Sequence, residues 1–109
     1  MISALNLSTA LVDSGKFTEA RAFMPDQMAL AKRVLGSDNL TTLNFQWGYA
    51  RAFFLDKDVT AEQLAEPVAA LDKALKIAQR VLGNEHPSTC TYRRELAAAR
   101  ILIARRRGA

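Results

Sequence analysis

The sequence predicts an all-α protein in which one structural unit is repeated and stacked. Three observations point there. Only five glycines and three prolines interrupt 109 residues rich in Ala, Leu, Arg and Lys, so long stretches can run as helix. Apolar residues recur at steps of three and four through most of the chain, the spacing that gathers them on one helix face. Finally, Arg33-Val34-Leu35-Gly36-Ser37-Asp38-Asn39-Leu40-Thr41-Thr42 returns as Arg80-Val81-Leu82-Gly83-Asn84-Glu85-His86-Pro87-Ser88-Thr89, with five identities and a fixed offset of 47 residues. A fixed offset is the signature of a repeat protein.

The first helix is expected from Ile2 to Ser14, with Ala4, Leu7, Ala10 and Leu11 on its buried face and Gly15 as its stop. A second series, Phe17, Ala20, Met24, Met28, Ala31 and Leu35, faces back onto the first, and Gly36 ends it. Pro25 falls inside this series, where it removes a backbone donor and crowds the preceding turn. A bend or a fresh helix start is therefore expected near Phe23 to Asp26.

Ser37-Asp38-Asn39 supplies turn and N-cap chemistry for a third helix, Leu40 to Leu55. That helix carries Leu43, Phe45, Trp47, Tyr49, Ala50, Phe53 and Phe54, too many apolar residues for one stripe. Such a helix is buried between neighbours on both sides, as the middle of a stack would be. After the polar loop Asp56 to Thr60, the run Thr60-Ala61-Glu62-Gln63 reads as a capping box. The fourth helix then carries Leu64, Val68, Leu71, Leu75, Ala78 and Leu82 and stops at Gly83, with some early distortion expected at Pro67. Pro87-Ser88-Thr89 opens the fifth helix, in which Tyr92, Leu96, Ala99 and Ile103 form the stripe. Arg105 to Arg107 complement its C-terminal dipole. With no partner after it, this helix is expected to cap the stack.

Composition narrows the function classes. The net charge of +4 rests largely on Arg105 to Arg107, so the body of the domain has no strong basic field and no nucleic-acid partner is expected. Cys90 is the only cysteine, which excludes an internal disulfide and a thiolate cage and favours a reducing compartment. No apolar run approaches the roughly 18 to 20 residues of a membrane span, and the N-terminus has no secretory pattern. A soluble, intracellular, cytoplasmic location is the expectation. There is no Gly-rich phosphate loop, paired-carboxylate set or Ser/His/Asp arrangement, and no cofactor or metal is expected. His86 is read as a side-chain cap for the next helix, and Cys90, at the position matching Leu43, as a small buried apolar group.

The echo extends backward, with Phe17 aligning on Leu64, Glu19 on Glu66, Met24 on Leu71, Met28 on Leu75 and Ala31 on Ala78, so the unit is a helix pair. Asn6-Leu7-Ser8, Gly15-Lys16-Phe17-Thr18-Glu19-Ala20 and Val34-Leu35-Gly36-Ser37-Asp38-Asn39-Leu40-Thr41-Thr42-Leu43 resemble the tetratricopeptide repeat of the kinesin light chain type, whose unit is about 42 residues long. The second unit keeps Tyr49-Ala50, Glu66 and Val81 to Thr89. It departs from the pattern by five extra residues between Leu55 and Leu64 and by lacking the Gly-Lys-Tyr turn. The resemblance implies a short right-handed α-solenoid of about two and a half repeats. It divides the single domain as 1–36, 37–83 and a capping helix 84–109. The chain opens at the first turn of its first helix, which fits either a natural terminus or a piece of a longer array.

The resemblance also implies a non-enzymatic scaffold that binds other proteins on the concave face built from the first, third and fifth helices. Carried over position by position, the groove residues are Thr9 and Val12, then Asn44, Trp47, Arg51 and Phe54, then Arg94, Ala98 and Ile101. Asn44, Trp47, Arg51 and Arg94 combine a planar aromatic with two guanidinium groups able to fork onto carboxylates, so an extended peptide carrying acidic residues is the expected partner. Trp47 is also open to burial between helices, and the two arginines to local pairing. An alternative function is a structural subunit that self-associates or stacks into a larger assembly through its terminal helices, using Ile2, Leu5, Val12, Ile101 and Leu102.

Overall fold

Local chemistry sets where each helix begins and ends. The computed structural model describes residues 2–108, and among side chains residue 7 and residues 9–108. The helices are α1 (Ile2–Asp13), α2 (Phe17–Leu35), α3 (Leu40–Phe54), α4 (Ala61–Val81) and α5 (Pro87–Gly108), with no strand among the described residues. Gly15 adopts φ +77°, and the Gly15 and Lys16 N–H groups return to the Val12 and Leu11 carbonyls at 3.0 and 2.9 Å, closing α1 as a Schellman turn. Asn39 caps α3 by accepting from the Thr41 N–H at 2.9 Å. At α4 the full capping box forms: the Gln63 N–H donates to Thr60 Oγ1, and the Thr60 N–H to Gln63 Oε1. His86 Nδ1 accepts from the Ser88 N–H at 3.1 Å and so caps the first turn of α5.

Consecutive helices pack on one another, α1 also meets α3, and α3 also meets α5. No described Cα pair of α2 and α4 comes within 8 Å. The odd-numbered helices are therefore the inner layer of a short stack of helix pairs.

The core is divided in two by α3. Phe45 and Ala52 of α3 pack with Val12, Ala20, Met24 and Ala31, on the side of α1 and α2. Leu43, Ala50 and Phe54 pack with Leu64, Leu71, Leu75, Ala78, Tyr92, Leu96 and Ala99, on the side of α4 and α5. That is the two-sided burial expected of a middle helix. Fully burying one leucine of the kind seen at Leu64 or Leu71 contributes about 1.5–3 kcal/mol.

Several expectations need correction. Helix α2 runs unbroken through Pro25, so no fresh start occurs near Phe23 to Asp26. Pro25 lies on the exposed face, where water can take the carbonyl it leaves unpaired, while the adjacent Met24 is fully buried and anchors the turn. Pro67 sits inside α4 with its ring packed in the core. On α1 the buried face is turned from the expected one: Leu7 is 48 % exposed and Ala10 exposed, whereas Leu11 and Val12 pack inward. An end helix has neighbours on one side only, so part of its apolar surface stays outside. Val34 and Leu35, in the last turn of α2, are exposed as well. Cys90 is only half-buried, its thiol directed at the Asn84 carbonyl at 3.6 Å. The expectations for the side chains of Ile2, Ala4, Leu5, Asn6 and Ser8 lie outside the described residues.

The lengthened loop between α3 and α4 is tightly held. Asp56 Oδ1 accepts from the Asp58 N–H at 3.0 Å, and Val59 is buried as a plug. Arg106 reaches from the last turn of α5 to donate to the Val59 carbonyl and, at 3.1 Å, to the Asp56 carbonyl. From the other side, Arg21 of α2 bonds Asp56 Oδ2 at 3.0 Å and the Ala52 carbonyl at 2.6 Å. Arg106 was expected only to complement the helix dipole. It is instead a clamp on the loop.

Candidate functional site

The 3.6-residue period puts Asn44, Trp47, Gly48 and Arg51 on one stripe of α3. Opposite them on α1 stand Thr9 and Val12, and the six residues line a narrow cleft of about 130 Å³. That volume admits one side chain and falls short of the ~300 Å³ at which small-molecule and cofactor sites begin. Val12, expected as a groove residue, is 3 % exposed and belongs mainly to the core, contributing only the floor of the cleft.

The polar contacts run across three helices. The Arg51 guanidinium lies 5.2 Å from the Trp47 ring centroid, in cation–π range, and 3.7 Å from Asp13 Oδ1 of α1. Trp47 packs on Tyr92 of α5 with ring centroids 6.0 Å apart and planes tilted by 47°. The Tyr92 hydroxyl donates to Asn44 Oδ1 at 2.5 Å. Burial pushes the Tyr92 hydroxyl up to about 12, with a hydrogen bond from the Ser88 side chain working against it, so the phenol stays a donor at neutral pH. The Trp47 Nε1–H is buried and has no acceptor among the described residues. Trp47 thus lines the cleft with one edge and is packed by its faces, combining the two readings its sequence position allowed.

Phe54 and Arg94 are not in this cleft. Phe54 is buried at the C-terminal end of α3, where it joins Leu55, Glu95, Ala98, Ile101, Leu102 and Arg105 around a second, wider groove between α3 and α5. Arg94 is exposed on α5, outside both. The structure therefore brings together three of the five candidate residues and adds Asp13, Gly48 and Tyr92. Asp13 and Tyr92 carry no local signal in the sequence, since their partners are 38 and 48 positions away.

A second polar cluster lies where α2 meets α3. Arg21 stands 5.2 Å from the Phe53 centroid, and Phe53 meets Tyr49 edge-on. Burial and the Glu66 carboxylate raise the Tyr49 hydroxyl, partly offset by Arg21. The backbone N–H of Asp58 holds the Asp56 carboxyl below its ordinary value, against a desolvation that raises it and with help from Arg21 and Arg106. This cluster serves the loop.

Among the described residues no group of His, Cys, Asp and Glu could hold a metal ion, and no helix is long and apolar enough to cross a membrane. A family model described as tetratricopeptide repeat matches residues 1–40 and 60–88, more than half of the chain. No curated protein and no solved structure matches. Asn44, Trp47, Arg51, Phe54 and Arg94 all fall outside the matched segments.

Proposed function

The chain belongs to the tetratricopeptide repeat family, whose repeats generally mediate protein–protein interaction, and from that premise we propose that it is a scaffold binding a partner peptide or helix on the inner, concave face of α1, α3 and α5. The observation that carries this reading is the cleft of Asn44, Trp47 and Arg51: it has room for one side chain, and it pairs an aromatic wall with a guanidinium. Phe54 provides an apolar contact in the adjoining groove, and Arg94, exposed on α5 outside both grooves, is a further guanidinium within reach of an acidic segment in this reading. Arg51 is held by Asp13 across 3.7 Å, longer than a tight ion pair, and Asp13 is 61 % exposed. A partner carboxylate that replaced it would gain a fork already oriented by the Trp47 ring. An extended segment with an acidic residue fits those terms.

In this reading the protein is a cytoplasmic adaptor of the kinesin light chain type and not an enzyme. The turn Gly15-Lys16-Phe17 and the doubled Val-Leu-Gly motif support that subtype. A second reading, a structural subunit that self-associates or stacks into a larger assembly through its terminal helices, rests on the exposure of Leu7 and Ile101 on α1 and α5.

Selection from a random peptide display library on the purified protein, with its mass measured in solution, tests the proposal. The expected result is enrichment of peptides carrying Asp or Glu whose binding is lost with Trp47→Leu or Arg51→Ala. A protein that enriches no peptide and sediments as a defined oligomer supports the second reading and overturns the first.

A further inference from the structure

The outer side of α3 carries an apolar stripe broken at one position. Leu43, Gln46, Ala50 and Phe53 follow one another at steps of three, four and three, and Gln46 is the polar member. Helices α2 and α4 flank that stripe, and because no described Cα pair of the two comes within 8 Å, a gap opens between them over α3. The gap holds about 260 Å³ and is more enclosed than either groove of the inner face. Leu43 and Ala74, both buried, and the half-buried Ile77 make its apolar part. Its polar part is Lys32 of α2, Ser37 of the turn, the half-buried Gln46 and Lys73 of α4.

Each of those four side chains can donate a hydrogen bond, and none has a hydrogen-bond or ion-pair partner among the described residues. Neither lysine has a carboxylate three or four residues away on its own helix, and no acidic residue lines the gap. The carboxylates at its margins are committed elsewhere: Asp38 to Arg80 at 3.2 Å, and Asp72 to Lys76 at 3.2 Å and Arg100 at 3.6 Å. Asp26 and Glu66 lie about 9–10 Å back along α2 and α4. Two ammonium groups thus line one small space that holds no counter-charge.

We infer that this gap is a binding site for a small phosphate monoester free in solution. At pH 7 a monoester carries a charge of about −1.5 to −2, which two lysines balance and one does not. Lysine is suited to the task, since its ammonium is a compact charge with three donors that turn toward whichever oxygen is offered. The Ser37 hydroxyl and the Gln46 amide supply neutral donors for the remaining oxygens, and the carbon chain of the ester lies against Leu43, Ala74 and Ile77. A volume just under the ~300 Å³ at which drug-sized sites begin limits that chain to a few carbons. A sulfonate or carboxylate of the same length brings one charge and leaves an ammonium unbalanced. The site is on the opposite side of α3 from Asn44, Trp47 and Arg51, and it stands or falls independently of the cleft there.

The test titrates n-propyl phosphate into the isotope-labelled full chain at neutral pH and constant ionic strength. The Gln46 side-chain amide and the backbone amides of Ser37 and Lys73 are followed by nuclear magnetic resonance. The matched arms are 1-propanesulfonate, which keeps the chain and carries one charge, and a short phosphoserine peptide, which presents the same monoester on a polypeptide. The expected result is saturable shifts centred on those resonances, with an affinity for n-propyl phosphate at least about tenfold above that for the sulfonate. Lys32→Gln and Lys73→Gln should each weaken binding about tenfold. Arg33→Gln, the same loss of charge just outside the gap, and Trp47→Leu should leave it unchanged. Both lysines are exposed, and unchanged thermal melts verify that the variants fold. Absence of saturation by about 10 mM, a smaller preference over the sulfonate, or binding that survives both lysine substitutions would overturn the assignment. So would an equal loss with Arg33→Gln, or tighter binding of the phosphoserine peptide than of n-propyl phosphate.

Discussion

Replacing Tyr92 with Phe removes one oxygen from the place where α5, α3 and the candidate cleft meet, and it should change stability with opposite sign at neutral and at high pH. At pH 7 the hydroxyl donates to Asn44 Oδ1, and its loss should destabilise by about 1 kcal/mol, the net worth of a hydrogen bond in a partly buried setting. For a chain of this size that lowers Tm by roughly 4 °C or slightly more. Alkali reverses the balance. The folded-state pKa is raised from 10.0 to about 12, so the protonated phenol favours the fold, and that contribution is complete below pH 10. It is lost as pH rises toward 12, because the unfolded chain ionises first and the fold then holds a neutral phenol against the drift. A displacement of that size corresponds to on the order of 2 kcal/mol, which Tyr92→Phe cannot lose. The wild type should therefore be the more stable protein at pH 7 and should lose its lead between pH 10 and 12. Urea unfolding at pH 7, 9, 10 and 11, followed by fluorescence of Trp47, the sole tryptophan, measures this directly. A constant difference between the two proteins from pH 7 to 11 would refute the reasoning.

The remaining predictions concern the loop and the core. Arg106→Ala should free the carbonyls of Asp56 and Val59, cost about 1–3 kcal/mol, and speed amide exchange across residues 56–60, whereas Arg107→Ala should leave exchange there unchanged. Asp56 has a folded-state pKa below its ordinary value, so it stabilises the fold above about pH 4, an advantage lost as pH falls through the lowered folded value. Asp56→Asn should accordingly flatten the acid limb of the stability profile in a series of thermal melts from pH 6 to 2. Leu71→Ala empties a fully buried position between α4 and its neighbours and should destabilise by about 2–5 kcal/mol in urea titration.

The helices and their order were legible because the 47-residue echo fixes the register and because capping residues have short-range effects. Thr60 and Gln63 announce a helix start by themselves, and so does Asn39. Grouping Asn44, Trp47 and Arg51 needed only the period of one helix. Contacts between helices were another matter. That Asp13 meets Arg51, that Tyr92 reaches Asn44, and that Arg106 turns back to the loop are consequences of how helices cross, and no local pattern encodes them. The face of α1 was misread for a related reason: periodicity reports that a helix is amphipathic, but at an end of the stack it does not say how much of the apolar face finds a neighbour. At Pro25 propensity left a bend and a fresh start both open, and the unbroken course of α2 excludes the fresh start.

The claim that the cleft between α1 and α3 is where a partner segment is recognised is tested most directly by nuclear magnetic resonance. A peptide selected on the purified protein is titrated into the isotope-labelled chain while amide and indole resonances are followed. The Trp47 Nε1–H and the backbone amides of Thr9, Val12, Asn44, Gly48 and Arg51 should shift first and furthest. Shifts confined to the opposite side of α3, where Lys32, Gln46, Lys73 and Ile77 line the gap between α2 and α4, would contradict it.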